Sequence, residues 1–315
     1  MHLLIPFAAP LSVAGRQALS TLELPGLQRL LGRLAPGPRD AGDEWTLSPP
    51  HERALGRALG WQGADGLLPW AARAAAADGI DTGNQAWGLM SPAHWHVGTD
   101  QVSLIDPAGL LLDDTASLAL FDALSALFTS RGYSMLWGST LRWYLAHHSL
   151  AALACASLDR VVGRNVDRWL GQDAATRPLR LLQSEVQMLL YGHPLNAARE
   201  AQGLLPVNSF WLSGCGPAQP VLHPEPTVDL RLRAPALADD WPGWARAWQT
   251  LDEGPIADLA AAAERDAGAP VQLTLCGERV AASHGPQRVG TAARWLAQIG
   301  NLTRRPTANA MLEAL

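Results

Sequence analysis

His94-Trp95-His96, with Asp100 close behind, is the most metal-like cluster in the chain. On an extended strand the two imidazoles project from one face, as two ligands of a single ion must. Asp100 would add an oxygen and leave a fourth position open. The alternative is that the imidazoles line a pocket or hydrogen-bond to backbone. Arg142, followed by Trp143 and Tyr144, has the setting of an anion clamp, because a planar guanidinium grips a carboxylate or phosphate through two parallel hydrogen bonds. A surface ion pair would use the same geometry. Asn196, Arg199 and Asn208 form a third group beside the apolar run Phe210-Trp211-Leu212. There Arg199 could hold an anion while the amides orient hydroxyls, with Trp211 completing the candidate ligand-binding set. Alternatively, the asparagines tie down loop backbone. Gly214-Cys215-Gly216 could present backbone N–H groups to an anion. Cys215 itself is a conceivable nucleophile, but nothing in sequence supplies its base. No GxSxG elbow, Walker loop, GxGxxG fingerprint or HExxH motif occurs.

These groups need elements to hold them. Apolar spacing predicts a helix through Val186, Leu189 and Leu190, a polar turn carrying Asn196 and Arg199, a strand from Val207 to Leu212, and a glycine-rich loop over 213–216. That order is how an α/β protein brings polar groups to the carboxyl edge of a sheet. Strands are expected at His2–Ile5, Ala86–Met90, Gln101–Ile105, Tyr133–Trp137, Leu141–Leu145, Val228–Leu232 and Val271–Cys276. Helices are expected over Arg16–Leu34 with a break near Pro25, and over His51–Leu59, Trp70–Ala77, Thr115–Thr129, Trp241–Trp248, Pro255–Arg265 and Val289–Ile299. Pro36–Pro50 and Pro217–Pro226 read as loops, and the strand–helix–strand order around Thr115–Thr129 suggests a βαβ-like unit.

The 315 residues suffice for a large core, and 48% hydrophobic with 17% charged residues describes a globular chain. Every basic residue is arginine, as a GC-rich bacterial genome would encode. A net charge of -5 argues against broad nucleic-acid binding. Three widely spaced cysteines without a CxxC suit a reducing cytoplasm, and no run approaches a membrane span. Cytoplasmic localisation without membrane contact is expected. Thirteen tryptophans are unusual; Trp241, Trp244 and Trp248 at helical spacing could be core or an exposed docking face.

His193-Pro194-x-Asn196-x-x-Arg199, Gly203 and Pro206-x-Asn208-x-x-Trp211-Leu212-x-Gly214-x-Gly216 together resemble a signature of the archaeal-type, cofactor-independent phosphoglycerate mutases of the alkaline phosphatase superfamily. Looser agreement runs through Leu24–Leu30, Val102–Leu104 with Asp106, Asp113–Leu127, and Gly138–Leu145 with Arg142. The family's metal residues do not carry over. Its first strand leads to a metal-binding aspartate, where this chain has Leu4-Ile5-Pro6-Phe7. Ser48 stands without the accompanying aspartate, Asp252-Glu253-Gly254 runs into Pro255 where a histidine belongs, and Arg279 follows Glu278 where the family has an aspartate–histidine pair. A guanidinium is no metal ligand, and Asp252, Glu278 and His284 are too few for two ions.

With Trp95–Asp100 and Leu158–Asn165, the whole chain resembles the branch called the regulatory protein RpfE family. The resemblance implies a mixed α/β, alkaline-phosphatase-like core from residues 1–80 and 204–315, with an inserted smaller α+β subdomain over 81–203. It implies a catalytically degenerate protein with a regulatory or ligand-binding role, and no catalytic residue or cofactor. Arg142, Asn196, Arg199, Asn208 and Trp211 would contact a small anionic metabolite. A RecJ-type exonuclease is the protein partner it points to. Two alternatives stay open: a phosphomutase or phosphohydrolase using zinc or manganese at His94, His96 and Asp100, and an interaction module docking through the tryptophan-rich face.

Overall fold

The computed structural model describes residues 1–171, 176–265, 269–286 and 307–315. In chain order the elements begin with β1 (His2–Ile5), α1 (Val13–Ser20), α2 (Pro25–Leu31), β2 (Leu34–Ala41), α3 (Pro50–Leu59) and α4 (Trp70–Ala77). Next come β3 (Ala86–Ala93), β4 (Trp95–Val97), β5 (Val102–Leu104), α5 (Asp114–Thr129), β6 (Ser134–Ser139), β7 (Arg142–Ala146) and α6 (Leu158–Val161). Then follow α7 (Arg177–Tyr191), α8 (Pro194–Ala201), β8 (Ser209–Pro217), β9 (Thr227–Val228), α9 (Arg233–Leu237) and α10 (Trp241–Leu251). The chain closes with α11 (Ala257–Arg265), β10 (Gln272–Cys276), β11 (Val280–Pro286) and α12 (Ala308–Glu313). The class is mixed α/β, as expected. The helix expected over Val289–Ile299 lies outside the described residues.

The chain divides into two compact units. One comprises Met1–Trp45, Pro49–Gly60 and Leu222–Leu315; the other comprises Thr46–Ser48 and Trp61–Val221. The second is wider than the segment 81–203 expected from sequence. The reason is physical: β8 is a strand of its sheet, and α4 packs against β3 and β8.

The first unit is built on a sheet in the order β2-β11-β10-β1-β9, in which β10 and β9 pair parallel with β1, and β11 alone is reversed, pairing antiparallel with both β10 and β2. Leu3, Ile5, Leu273 and Leu275 leave one face of the sheet to meet Leu27 and Leu30 of α2 and Trp244, Trp248 and Leu251 of α10. Leu4, Cys276 and Ala281 leave the other and meet Ala54 of α3. Each large side chain so buried contributes about 1.5–3 kcal/mol. Trp244 and Trp248 are fully buried, and Trp241 packs half-buried against the same core. The tryptophan stripe therefore faces the sheet: of the two readings its spacing allows, core packing holds and the exposed docking face does not. The Trp244 indole N–H donates to the Phe7 carbonyl at 2.9 Å, the partner a buried indole requires.

Two further corrections concern this sheet. Residues 34–41, expected to be the end of a helix at Leu34 and then a loop from Pro36, form β2. It lies at the sheet's edge, where Pro36 and Pro38 can be tolerated without ladder N–H groups. The expected strand Val228–Leu232 shrinks to the two residues of β9, because Leu230–Arg233 closes into a turn leading to α9.

Between α10 and α11, Asp252–Ile256 form a π-helical turn around Pro255. Proline lacks an N–H and its ring crowds the carbonyl four residues back, so the widened turn lets the helix continue. Asp252 is thereby buried against the start of α2, where Leu24 provides no side-chain cap. Its carboxylate accepts from the N–H groups of Gly26 at 2.8 Å and Leu27 at 2.6 Å. A methyl group on Gly26 would come within 2.5 Å of the Asp252 carbonyl oxygen, so only glycine permits this approach.

In the second unit the sheet is wholly antiparallel, in the order β6-β7-β3-β8. Trp143, Leu145, Phe210 and Leu212 face α5 and α7, whereas Trp87, Tyr144 and Ala146 face the alanines of α4. The expected βαβ-like unit does not form. β5 pairs with β4 in a separate hairpin, while β6 pairs with β7, so α5 crosses over between no parallel strands. Among the described residues no helix is long and apolar enough to cross a membrane.

Replacing Asp252 by alanine should leave two N–H groups of α2 without acceptors and cost about 1–3 kcal/mol. Urea unfolding with an unchanged midpoint would show that the cap contributes nothing.

Candidate functional site

The stretch 183–216 holds most of the candidate residues, and its local structure differs from the sequence expectation in two places. Asn196 and Arg199 sit on α8, not on a turn. Pro194 opens that helix at a position where its missing N–H costs nothing, and the His193 side chain accepts from the Leu195 N–H. Residues 213–216 belong to β8, not to a loop. Leu89 pairs with Ser213 but Trp87 pairs with Gly216, so one extra residue is accommodated on β8 as a bulge. Gly214 takes φ +63° there. The bulge changes the strand's parity and turns Cys215 onto the same apolar face as Phe210 and Leu212. Buried within the ladder, these residues offer no exposed anion-binding loop.

Asn196 is buried, and its carboxamide is fully employed. Nδ2 donates to the carbonyls of Leu190 at 2.9 Å and Val207 at 2.7 Å, and Oδ1 accepts from the Val207 N–H at 2.9 Å. Arg199 is also buried; it donates to the carbonyls of Leu205 and Leu110. Burial pulls its pKa down, partly countered by Asp113, but a guanidinium stays charged at any ordinary pH. Asn208 mimics a strand partner for Trp95: Oδ1 accepts from its N–H at 2.7 Å and Nδ2 donates to its carbonyl at 3.0 Å. Trp211 donates from its indole to Ala156 at 2.9 Å, and its ring lies 6.3 Å from that of Trp95. Asn196, Arg199 and Asn208 thus gather around residues 205–208, with Trp211 joined to them through Trp95.

Arg142 is engaged elsewhere. Its Nε and Nη2 donate to the two carboxylate oxygens of Asp78 at 3.0 and 2.7 Å, and Tyr144 donates its hydroxyl to Asp78 at 2.6 Å. The bidentate clamp expected from sequence exists, and the anion in it is the chain's own Asp78. Hydrogen bonding from Arg142, above all, holds Asp78 below its ordinary 3.8; burial opposes this and Tyr144 assists.

His94 is buried beside the same corner, with Nδ1 2.8 Å from the Pro206 carbonyl. A carbonyl only accepts, so Nδ1 carries the proton. His96 and Asp100 are exposed on the β4–β5 hairpin, and the two imidazole rings are 6.3 Å apart. Among the described residues no group of three His, Cys, Asp or Glu side chains could hold a metal ion.

The residues at the mutase-like metal positions are likewise committed. Asp252 caps α2, and Glu278 accepts from the Leu11 N–H at 2.8 Å. His284 is buried opposite Leu273, where desolvation lowers its pKa, and its Nδ1 has no hydrogen-bond partner. In the second unit, Ser48 accepts from Gly66 N–H at 2.9 Å while its own N–H donates to Asp65 at 2.8 Å.

The two stretches that mark the narrower resemblance are brought together. Trp95–Val97 pair with β5, and β5 also bridges to the other stretch through Leu104 with Val162 and Ser103 with Asn165. Sequence reasoning missed Asp78, the anion that Arg142 and Tyr144 hold, and the buried Ser117 hydroxyl. That hydroxyl donates to the Thr140 carbonyl and accepts from the indoles of Trp137 and Trp143 at 3.1 and 3.0 Å. Trp137 and Trp143, on the two strands expected on either side of residues 138–140, were the available signal for the second; nothing local marked Asp78.

Asn196→Ala should lower stability by roughly 2–4 kcal/mol, since it strands several buried backbone groups at about 1–3 kcal/mol each. An unchanged urea midpoint would show that the amide is not needed for folding. Asp78→Asn should cost about 1–2 kcal/mol at pH 6, within the range for a hydrogen-bonded and partly exposed pair. Because the folded pKa lies below 3.8, this contribution is present above the unfolded value and is lost as pH falls through the folded one. The gap between wild type and Asp78→Asn should therefore narrow in urea titrations at pH 3, and a constant gap would refute the coupling.

No family model matches the chain, and no curated protein matches it. Among solved structures it is similar to the cofactor-independent phosphoglycerate mutase from Thermoplasma acidophilum DSM 1728, at 16% identity and a TM-score of 0.38, over 92% of this chain and 90% of that one. It is also similar to the PH0037 protein from Pyrococcus horikoshii, at 11% identity and a TM-score of 0.47, over 92% of this chain and 88% of that one.

Proposed function

We propose that the chain is a catalytically degenerate, phosphoglycerate-mutase-like protein of alkaline-phosphatase-like build, with a regulatory role of the RpfE type. The observation that carries this reading is the use made of Asp252. It is the acidic residue that most nearly echoes the family's metal motif, and both its oxygens are spent on backbone N–H groups of α2. An ion placed there would have to compete with two buried hydrogen bonds whose loss would unpair a helix terminus.

The regulatory role stands ahead of metabolite binding because Asn196, Arg199, Asn208 and Trp211 direct hydrogen bonds into the chain's own backbone. Arg142 is half-exposed but already holds a carboxylate. Regulation would then act through a protein partner, for which a RecJ-type exonuclease is the first to test.

The test is a mutase and phosphatase assay of the full chain with 3-phosphoglycerate and manganese, magnesium or zinc. We expect no turnover above the enzyme-free rate and no thermal stabilisation by millimolar 3-phosphoglycerate. Metal-dependent turnover that disappears in Asp252→Asn would overturn the proposal.

A further inference from the structure

Cys155 and Cys215 are sixty positions apart in sequence, yet their sulfurs lie 3.8 Å apart, with the Cys215 thiol donating to Cys155. Their surroundings differ. Cys215 is fully buried on the bulged part of β8, among the apolar side chains packed beneath α5 and α7. Cys155 is half-exposed and lines a cavity with Trp169, Arg180, Gln183 and Trp211. The backbone on either side of Cys155 is fixed: its N–H donates to the Gly66 carbonyl at 3.2 Å, and the Ala156 carbonyl accepts the Trp211 indole. The thiols are therefore held in register by the fold.

We propose that Cys155 and Cys215 form a redox pair that closes to a disulfide under a peroxide oxidant. An S–S bond is about 2.05 Å long, so closure requires an approach of roughly 1.8 Å from the present contact. Cys155 reacts first because, of the two, it alone lines the cavity and is not fully buried. Cys155 sulfur attacks a peroxide oxygen and the O–O bond breaks. The sulfur is oxidised by two electrons to sulfenic acid, and the leaving hydroxide takes up the thiol proton as water. Cys215 sulfur then displaces hydroxide from the sulfenic sulfur: the S–S bond forms, the S–O bond breaks, and the Cys215 proton leaves in a second water. Two thiols and one hydrogen peroxide become one disulfide and two waters. The hydrogen bond to Cys155, and after it burial, push the Cys215 thiol well up, so Cys215 remains a protonated resolving partner until its neighbour is oxidised. Cys276 is buried within the first unit's sheet and has no part in the pair.

The test is peptide mapping by mass spectrometry, under non-reducing conditions, of the full reduced chain treated with stoichiometric hydrogen peroxide. The expected product links the Cys155 and Cys215 peptides with loss of two hydrogens, reverts with dithiothreitol, and leaves Cys276 alkylatable after denaturation. Cys215→Ser should give no link and instead a dimedone-trappable sulfenic acid at Cys155. The wild-type map stands by itself if that variant fails to fold. Recovery of wild-type Cys155 as a free thiol, as sulfinic acid or only in links between chains would overturn the proposal.

Discussion

A backbone N–H or carbonyl buried without a partner costs about as much as a good hydrogen bond contributes, and wherever one regular element ends inside a core such groups accumulate. Asn196 stands at one such place. Its carboxamide satisfies the Leu190 carbonyl near the end of α7 and both backbone groups of Val207 just before β8, at the point where the helix ends and the chain turns toward the strand. Asn208 does the same for Trp95 one strand away, and Arg199 gathers two further carbonyls. The corner depends on these polar side chains as much as on the apolar ones around it.

The same constraint governs the first unit. Pro25 begins α2 after a residue that cannot cap it, and the widened turn around Pro255 delivers Asp252 to supply the missing acceptors. In each unit, residues whose types suggest ligand or metal chemistry are consumed by backbone. A residue placed to hold backbone cannot be changed without a folding cost, whatever chemistry the chain does or does not carry out.

The Asp78–Arg142–Tyr144 group shows the limit of inference from residue type. An arginine beside aromatics suggests an anion clamp, and the clamp is there, closed on the carboxylate of Asp78 just past the end of α4. Gly138 is what permits the closure, since a methyl group there would meet the Tyr144 ring at 2.3 Å. Neither Asp78 nor Gly138 carries a local mark of this role, because the contact joins residues far apart in sequence.

Periodicity and turn residues determined by themselves that the class is α/β and where most elements run: β1, the break at Pro25, α3, α4, α5, β6, β7 and α10 are all legible from apolar spacing and caps. Spacing also placed Trp241, Trp244 and Trp248 on one stripe, but could not say whether that stripe met solvent or a sheet. Only tertiary structure decided that, along with the bulge that turns Cys215 inward, the edge position that lets Pro36 and Pro38 lie in a strand, and the acceptors that Asp252, Asn196 and Arg142 serve. The physical reason is common to all of them. A local pattern reports which face of an element is apolar, whereas a hydrogen-bond partner or a sheet neighbour is chosen by a distant part of the chain.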